Sequence, residues 1–259
     1  MSYQELFTPF KIGSMRVKNR IVMSPMGTNS ALANGRKTAE EIDYFIERAR
    51  GGAGLIIMGC QPLNEKIAQG SMEGYMDSYT VLPSLTSVCD GVHRYGAKIC
   101  CQLTPGTGRN AFPDTFGNPP ISASAIPSAF DPNLICHALT KEEIAQIMED
   151  FKFAASLAMD AGYDAIEIHA HAGYLIDQFL SPVWNKRTDE YGGSRRRTHS
   201  LRRRSSERCA LWSGRMCRSC FASLWIIALK AARSRLQHGD LEGAGEGRRG
   251  CVRCRCRLL

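Results

Sequence analysis

Residues 165–169 read Ala-Ile-Glu-Ile-His, and in an extended strand their side chains alternate between two faces. With Ile166 and Ile168 turned toward covering helices, Glu167 and His169 share the opposite face. Residues 99–103 repeat the pattern: Ile99, Cys101 and Leu103 fall on one side, Cys100 and Gln102 on the other. The alternation places Gln102 beside His169, facing one interior. A carboxamide and an imidazole aimed inward need hydrogen-bonding partners. They satisfy one another or water, or they serve a site.

These strands sit in a strand–helix alternation. Residues 20–24 are short and apolar and stop at Pro25. A helix follows over 38–50, with Thr38 as cap, Glu40 and Glu41 in the first turn, and Ile42, Phe45, Ile46 and Ala49 on one face. Residues 55–58 form a buried strand. Leu82, Leu85, Val88 and Val92 mark a second helix, closed by Gly96. Thr140 caps a third helix with Glu143 in capping-box position, and Gly162 ends it. Four such steps predict a parallel sheet covered by helices. A doubly wound sheet and a β/α barrel both fit. No G-x-G-x-x-G follows the first strand, and the motif-like residues follow several different strands, as they do in barrels.

The chain has 259 residues, suited to one large domain or two small ones, and is 44% hydrophobic, which excludes disorder by composition. No apolar run approaches a membrane span, and the N-terminus lacks the build of a signal peptide. A cytoplasmic protein with reduced thiols and no membrane partner is expected. The net charge of +8 describes neither half of the chain. Residues 1–194 carry 16 Lys and Arg against 21 Asp and Glu; residues 195–259 carry 17 against 4. Six of the eleven cysteines also lie in that basic tail.

The segment "AIEIHAHAGYLIDQFLSPVWNKRTDEYGGS" (165–194) resembles the old yellow enzyme family of FMN-dependent ene-reductases. "LFTPFKIGSMRVKNRIVMSPMGT" (6–28) is similar to that family's opening hairpin and first strand, and "ERARGGAGLIIMG" and "KICCQL" to its second and third strands, in order. The resemblance covers residues 1–194 and leans toward the 2-enoate, 2,4-dienoyl-CoA and bile-acid reductase branch. It implies an α/β fold of the (β/α)8 TIM-barrel type, here about the first four β/α units. It further implies FMN across the C-terminal mouth and NAD(P)H as electron donor. The substrate implied is a small unsaturated carbonyl compound: an enone, an enoate or an enoyl thioester.

Carried over residue by residue, Pro25, Met26 and Gly27 touch the flavin through backbone groups. Gly27 stands where many relatives have Thr or Cys. Cys60 lies near the pyrimidine edge, with a small packed residue as its alternative, and Gln102 hydrogen-bonds that edge. His169 donates to the substrate carbonyl, and Tyr174 protonates the α-carbon. The family's second His or Asn position holds Ala172, while His171 sits one residue early. Either the loop is remodelled to present His171, or this branch uses one imidazole and His171 is an exposed loop residue. Arg187 and Asp189 pair to brace the rim with Gly192 and Gly193. Arg109 resembles part of a "Q-L-x-H-x-G-R" motif, with its role open.

The tail, 195–259, resembles nothing in the family. Cys217-x-x-Cys220 and Cys251-x-x-Cys254 admit a zinc or nucleic-acid-binding module, but 30 residues separate the pairs and no pattern organises the gap. A shifted reading frame accounts for more. Read one base later through suitable synonymous codons, 236–259 gives FNTAILKALEKAVGDAFDVDAGC, an amphipathic helix and then a strand. Residues 197–206 give ERTRFAVEV in the same way. Residues 216–227, read one base earlier, give DVPILFRLSLD, which holds the Arg expected to meet FMN. The tail is therefore expected to lack a fold of its own, and nucleic acid is not expected as a partner. The half barrel is expected to show two open edges and an exposed apolar face, and to lack the phosphate grip of the later loops.

Overall fold

The computed structural model describes residues 3–67, 73–114 and 117–193, and the backbone of Ile226–Ala228. A short hairpin opens the chain, with β1 (Phe10–Ile12) antiparallel to β2 (Met15–Val17). Then come β3 (Val22–Met26), α1 (Ala39–Arg50), β4 (Leu55–Pro62), α2 (Leu82–Arg94) and β5 (Lys98–Thr104). A long excursion carries two short paired strands, β6 (Ile121–Ser122) and β7 (His137–Ala138). The chain returns through α3 (Lys141–Ala161), β8 (Ala165–Ile168) and α4 (Leu175–Leu180).

β3, β4, β5 and β8 pair in that order, all parallel, so the described residues form a partial β/α barrel. The helix signals act as their chemistry dictates. The Thr38 side chain accepts from the Glu41 amide, and Thr140 and Glu143 close a reciprocal capping box. α3 stops at Gly162, whose φ of 98° suits glycine. Ile56, Met58, Ile99, Cys101, Leu103, Ile166 and Ile168 form one core with Phe45, Leu85, Val88 and Phe151 of the helices. On the opposite side of the strands, Leu55, Ile57, Cys100 and Ala165 pack against Met15 and Val17 of the hairpin. The strand alternation expected at 99–103 and 165–168 is therefore the observed one.

Two expectations need correction. The axis-facing apolar residues of β4, β5 and β8 are buried, because the hairpin plugs the base of the sheet. The β8 edge is also not open: β9 (Ile226–Ala228) pairs with it, Ala165 opposite Ala228. That pairing is antiparallel, whereas a fifth barrel strand would run parallel. At the other end of the parallel strands, β3 has no strand beside its outer edge among the described residues. Val22 and Met26 are 46% and 56% exposed there. The rest of the tail, with its six cysteines and the two Cys-x-x-Cys pairs, lies outside the described residues. Among the described residues, no helix is long and apolar enough to cross a membrane, and no three His, Cys, Asp or Glu side chains group as metal ligands.

Candidate active site

At the C-terminal end of the sheet, β5 and β8 are in register, with Gln102 opposite Glu167. Both are buried. Gln102 Nε2 donates to Glu167 Oε1. The direct neighbour of Gln102 is thus Glu167, not His169, a register detail that alternation alone does not supply. Burial pushes the Glu167 carboxyl above its ordinary range, against the donation from Gln102. Its Oε2 is buried without a hydrogen-bond partner.

His169 follows β8, and its amide donates to Leu103 O at 2.9 Å. Its ring stacks at 4.5 Å against His171, with planes 25° apart, and at 4.5 Å against Tyr174, 23° apart. Burial first, and His171 second, pull the His169 pKa down to about 4, so the ring is neutral at pH 7. Its Nδ1 is buried and has no partner. Burial raises the Tyr174 pKa, so its hydroxyl keeps its proton. His171 is exposed yet stacked on His169, and Ala172 after it has a φ of 61°. The structure thus groups His169, His171 and Tyr174.

One side chain holds that turn. Gln178 of α4 is buried, and its Nε2 donates to Gly173 O at 2.7 Å and to Thr107 O at 3.2 Å. Its Oε1 accepts from Ser122 Oγ at 3.0 Å and the Arg109 amide at 3.2 Å. Asn110 Nδ2 also reaches Gly173 O, at 3.1 Å, and Asp177 accepts from the Gly173 amide at 2.8 Å. Nothing in the sequence marks the bonds from Gln178 to Thr107, Ser122 and Arg109 or from Asn110 to Gly173, because each joins segments far apart in the chain. Arg109 stacks over Trp184 at 4.2 Å and donates to Pro127 O and Ser128 O, which makes it a loop brace. Arg187 grips Asp189 at 2.6 Å and donates to Ala123 O and Leu139 O, matching its expected bracing role.

Pro25 and Met26 end β3, and Gly27 follows, exposed. A Cβ on Gly27 would lie 2.4 Å from Glu73 Oε1, so this carboxylate, which accepts from the Asn29 amide at 3.0 Å, would have to shift. Nearby, Lys37 Nζ donates to Glu73 O and pairs with buried Glu41 at 3.0 Å. Cys60 is partly buried, and burial followed by Glu73 pushes its pKa up to about 11, so it is a thiol. Glu73, Lys37 and Glu41 carry no motif that would have marked them.

The polar edge of an isoalloxazine suits the ring end of this mouth. Gln102 offers a carboxamide there, and two buried polar atoms, on Glu167 and His169, stand without partners. The phosphate end finds no such match among the described residues. Arg109, Arg187 and Lys37 are all committed elsewhere.

Residues 5–201 match the model of the NADH:flavin oxidoreductase / NADH oxidase family. The chain belongs to this family, that of old yellow enzyme. It is 40% identical over 199 residues to a cinnamate reductase of Clostridium sporogenes, covering 74% of this chain and 30% of that protein. It is 39% identical over 193 residues to an NADPH dehydrogenase of Listeria monocytogenes, covering 73% and 55%. The old yellow enzyme homologue of Zymomonas mobilis superposes with a TM-score of 0.73 at 30% identity, over 80% of this chain and 60% of that one. The chain thus spans between about a third and just over half the length of these curated relatives. The family's cofactor is FMN, with NAD(P)H as the electron source.

Proposed function

We propose that these residues belong to an ene-reductase: NAD(P)H reduces an activated C=C bond of an enone, enoate or enoyl thioester through FMN. The observation that carries this reading is the stacked His169, His171 and Tyr174 group at the mouth. Bound flavin supplies the hydride that reaches the β-carbon. The protein's own residues do the rest. His169, neutral at pH 7, donates an N–H to the substrate carbonyl oxygen, where negative charge gathers. His171, stacked on it, offers a second donor. The Tyr174 hydroxyl, protonated, gives its proton to the α-carbon. Pro25, Met26, Gly27 and Cys60 border the ring, and Gln102 binds its pyrimidine edge.

Among its described residues the chain carries the ring-side and substrate-side groups and no phosphate grip. Its tail is the product of a shifted frame, and it does not hold FMN firmly enough for turnover. The family match ending at residue 201 and the antiparallel pairing of β9 support this. A dianionic phosphate needs several fixed donors, and nonspecific attraction to tail arginines does not align a ring over a substrate. The test is gel filtration of the purified 259-residue chain with excess FMN, then assay with NADPH and an enone. Flavin is expected to bind weakly through its ring and to dissociate on the column, with no turnover. Stoichiometric yellow protein that reduces the enone would overturn the reading. Translating the coding DNA after the Ser194 codon in all three frames tests the origin of the tail.

A further inference from the structure

We propose that Glu167 is a positioning residue that fixes which end of the Gln102 carboxamide faces the mouth, and so sets recognition of the polar edge of a flavin ring. This rests on the flavin reading above. Gln102 and Glu167 are register partners on adjacent strands, 2% and 1% exposed, with Nε2 of the first donating to Oε1 of the second. A carboxylate only accepts hydrogen bonds, so only the amino end of the carboxamide can face it. The reversed amide would set oxygen against oxygen in a buried place. The Glu167 carboxylate therefore decides an orientation that the shape of a carboxamide leaves open. It leaves Gln102 Oε1 and the second N–H turned away from it. That acceptor–donor pair complements a ring edge in which one N–H lies between two carbonyls.

Packing does not account for a buried acid at this position. Its neighbours on the strand fill both cores, Ile166 and Ile168 against the helices and Ala165 against the hairpin. Among the described residues no Lys or Arg pairs with Glu167. Oε2 has no partner, and neither does Nδ1 of His169 on the next axis-facing position. A carboxylate held only by the amide it orients is placed for that amide.

Two measurements on the full chain test this. The first is the side-chain amide signal of Gln102 in 15N-labelled protein without ligand, assigned by its loss in Gln102→Leu. The second is quenching of riboflavin fluorescence, because riboflavin carries the ring without the phosphate. In Glu167→Gln the new carboxamide can donate or accept, so both orientations of Gln102 become available. The Gln102 amide protons are expected to shift upfield or split into two sets. Riboflavin is expected to bind about 10-fold more weakly, the equivalent of one neutral hydrogen bond, while the urea midpoint does not fall. Gln102→Leu is expected to lose riboflavin binding. Parent-like riboflavin affinity in Glu167→Gln, or an unmoved Gln102 signal, would overturn the proposal. If the Gln102 signal moves in Glu167→Gln but the parent itself does not quench riboflavin, the flavin reading fails and takes the recognition role with it.

Discussion

The two ends of the parallel sheet are built to different standards. At β8 the strand is locked from below and above. Asp164, fully buried just before it, lies 2.6 Å from His93 Nε2, binds Lys98 at 2.9 Å and accepts from the Ile99 amide at 3.1 Å. The turn after β8 hangs on Gln178, Asn110 and Asp177. At β3 the outer edge has no strand beside it among the described residues, and Val22 and Met26 lie open. The substrate side of the candidate site therefore stands on a braced strand. The ring side leans on a strand that a closed barrel would cover. A partial barrel can thus preform one half of a site while leaving the other unsupported.

The largest effect expected is chemical and falls on the β8 side. In a chain completed to the whole barrel, Tyr174→Phe should slow reoxidation of reduced flavin by an enone about 10²–10⁴-fold, the usual weight of a general acid. Stopped-flow traces should show flavin reduction by NADPH nearly unchanged. An equal loss in both half-reactions would move Tyr174 from proton transfer to general support of the site.

Next comes the acid under β8. Burial raises the Asp164 carboxyl, but His93, Lys98 and the Ile99 amide outweigh it and hold it well below the usual range. A folded pKa below the unfolded one gives stability that is present above the unfolded value of about 4 and is lost as pH falls toward the folded value. Asp164→Asn should cost about 2–4 kcal/mol in urea denaturation at pH 7. The gap from the parent should narrow steadily below about pH 4. A gap independent of pH would deny the ion-pair account.

Gly108 probes the clamp above β8. Its φ is 61°, and a Cβ would meet Gln178 Nε2 at 2.4 Å. Gly108→Ala should cost about 2–3 kcal/mol, from backbone strain plus a displaced buried amide. Proteolysis within the turn at 169–174 should quicken. If the clamp is dispensable, the melting temperature will stay put.

The smallest effect belongs to the β3 edge and sharpens the contrast. Val22→Thr should change stability by less than about 0.5 kcal/mol. Ile166→Thr, on β8 and wholly buried, should cost about 2–4 kcal/mol by burying a hydroxyl and leaving a gap. Equal costs at the two positions would mean that the β3 edge is covered in solution.

Much of this arrangement is legible in the amino-acid sequence itself. The helix at 39–50 announces itself by Thr38 and by Phe45 and Ala49 on one face; the capping box at Thr140 and Glu143 does the same for the third. Alternation in 165–169 separates Ile166 and Ile168 from Glu167. All of these are local facts, set by dihedral sterics and by a repeat of 2 or 3.6 residues. The family likeness in 165–194 points to His169 and Tyr174 together, but leaves His171 open between two presentations.

What tertiary structure alone decided is non-local. That Gln102 meets Glu167 depends on the register of β5 against β8, across 65 residues of chain. That a Gln178 amide holds the Gly173 turn and the Thr107 loop together depends on α4 docking beside the β5 loop. That Glu73 fills the space a side chain at Gly27 would need depends on a contact between positions 46 residues apart in the chain. That His171 stacks on His169, and that Tyr174 stacks on the same ring, depends on how the loop after β8 folds back. Periodicity tells each residue which way to face. It carries no information about which distant residue will be waiting there, because register and loop closure are settled only when whole elements pack.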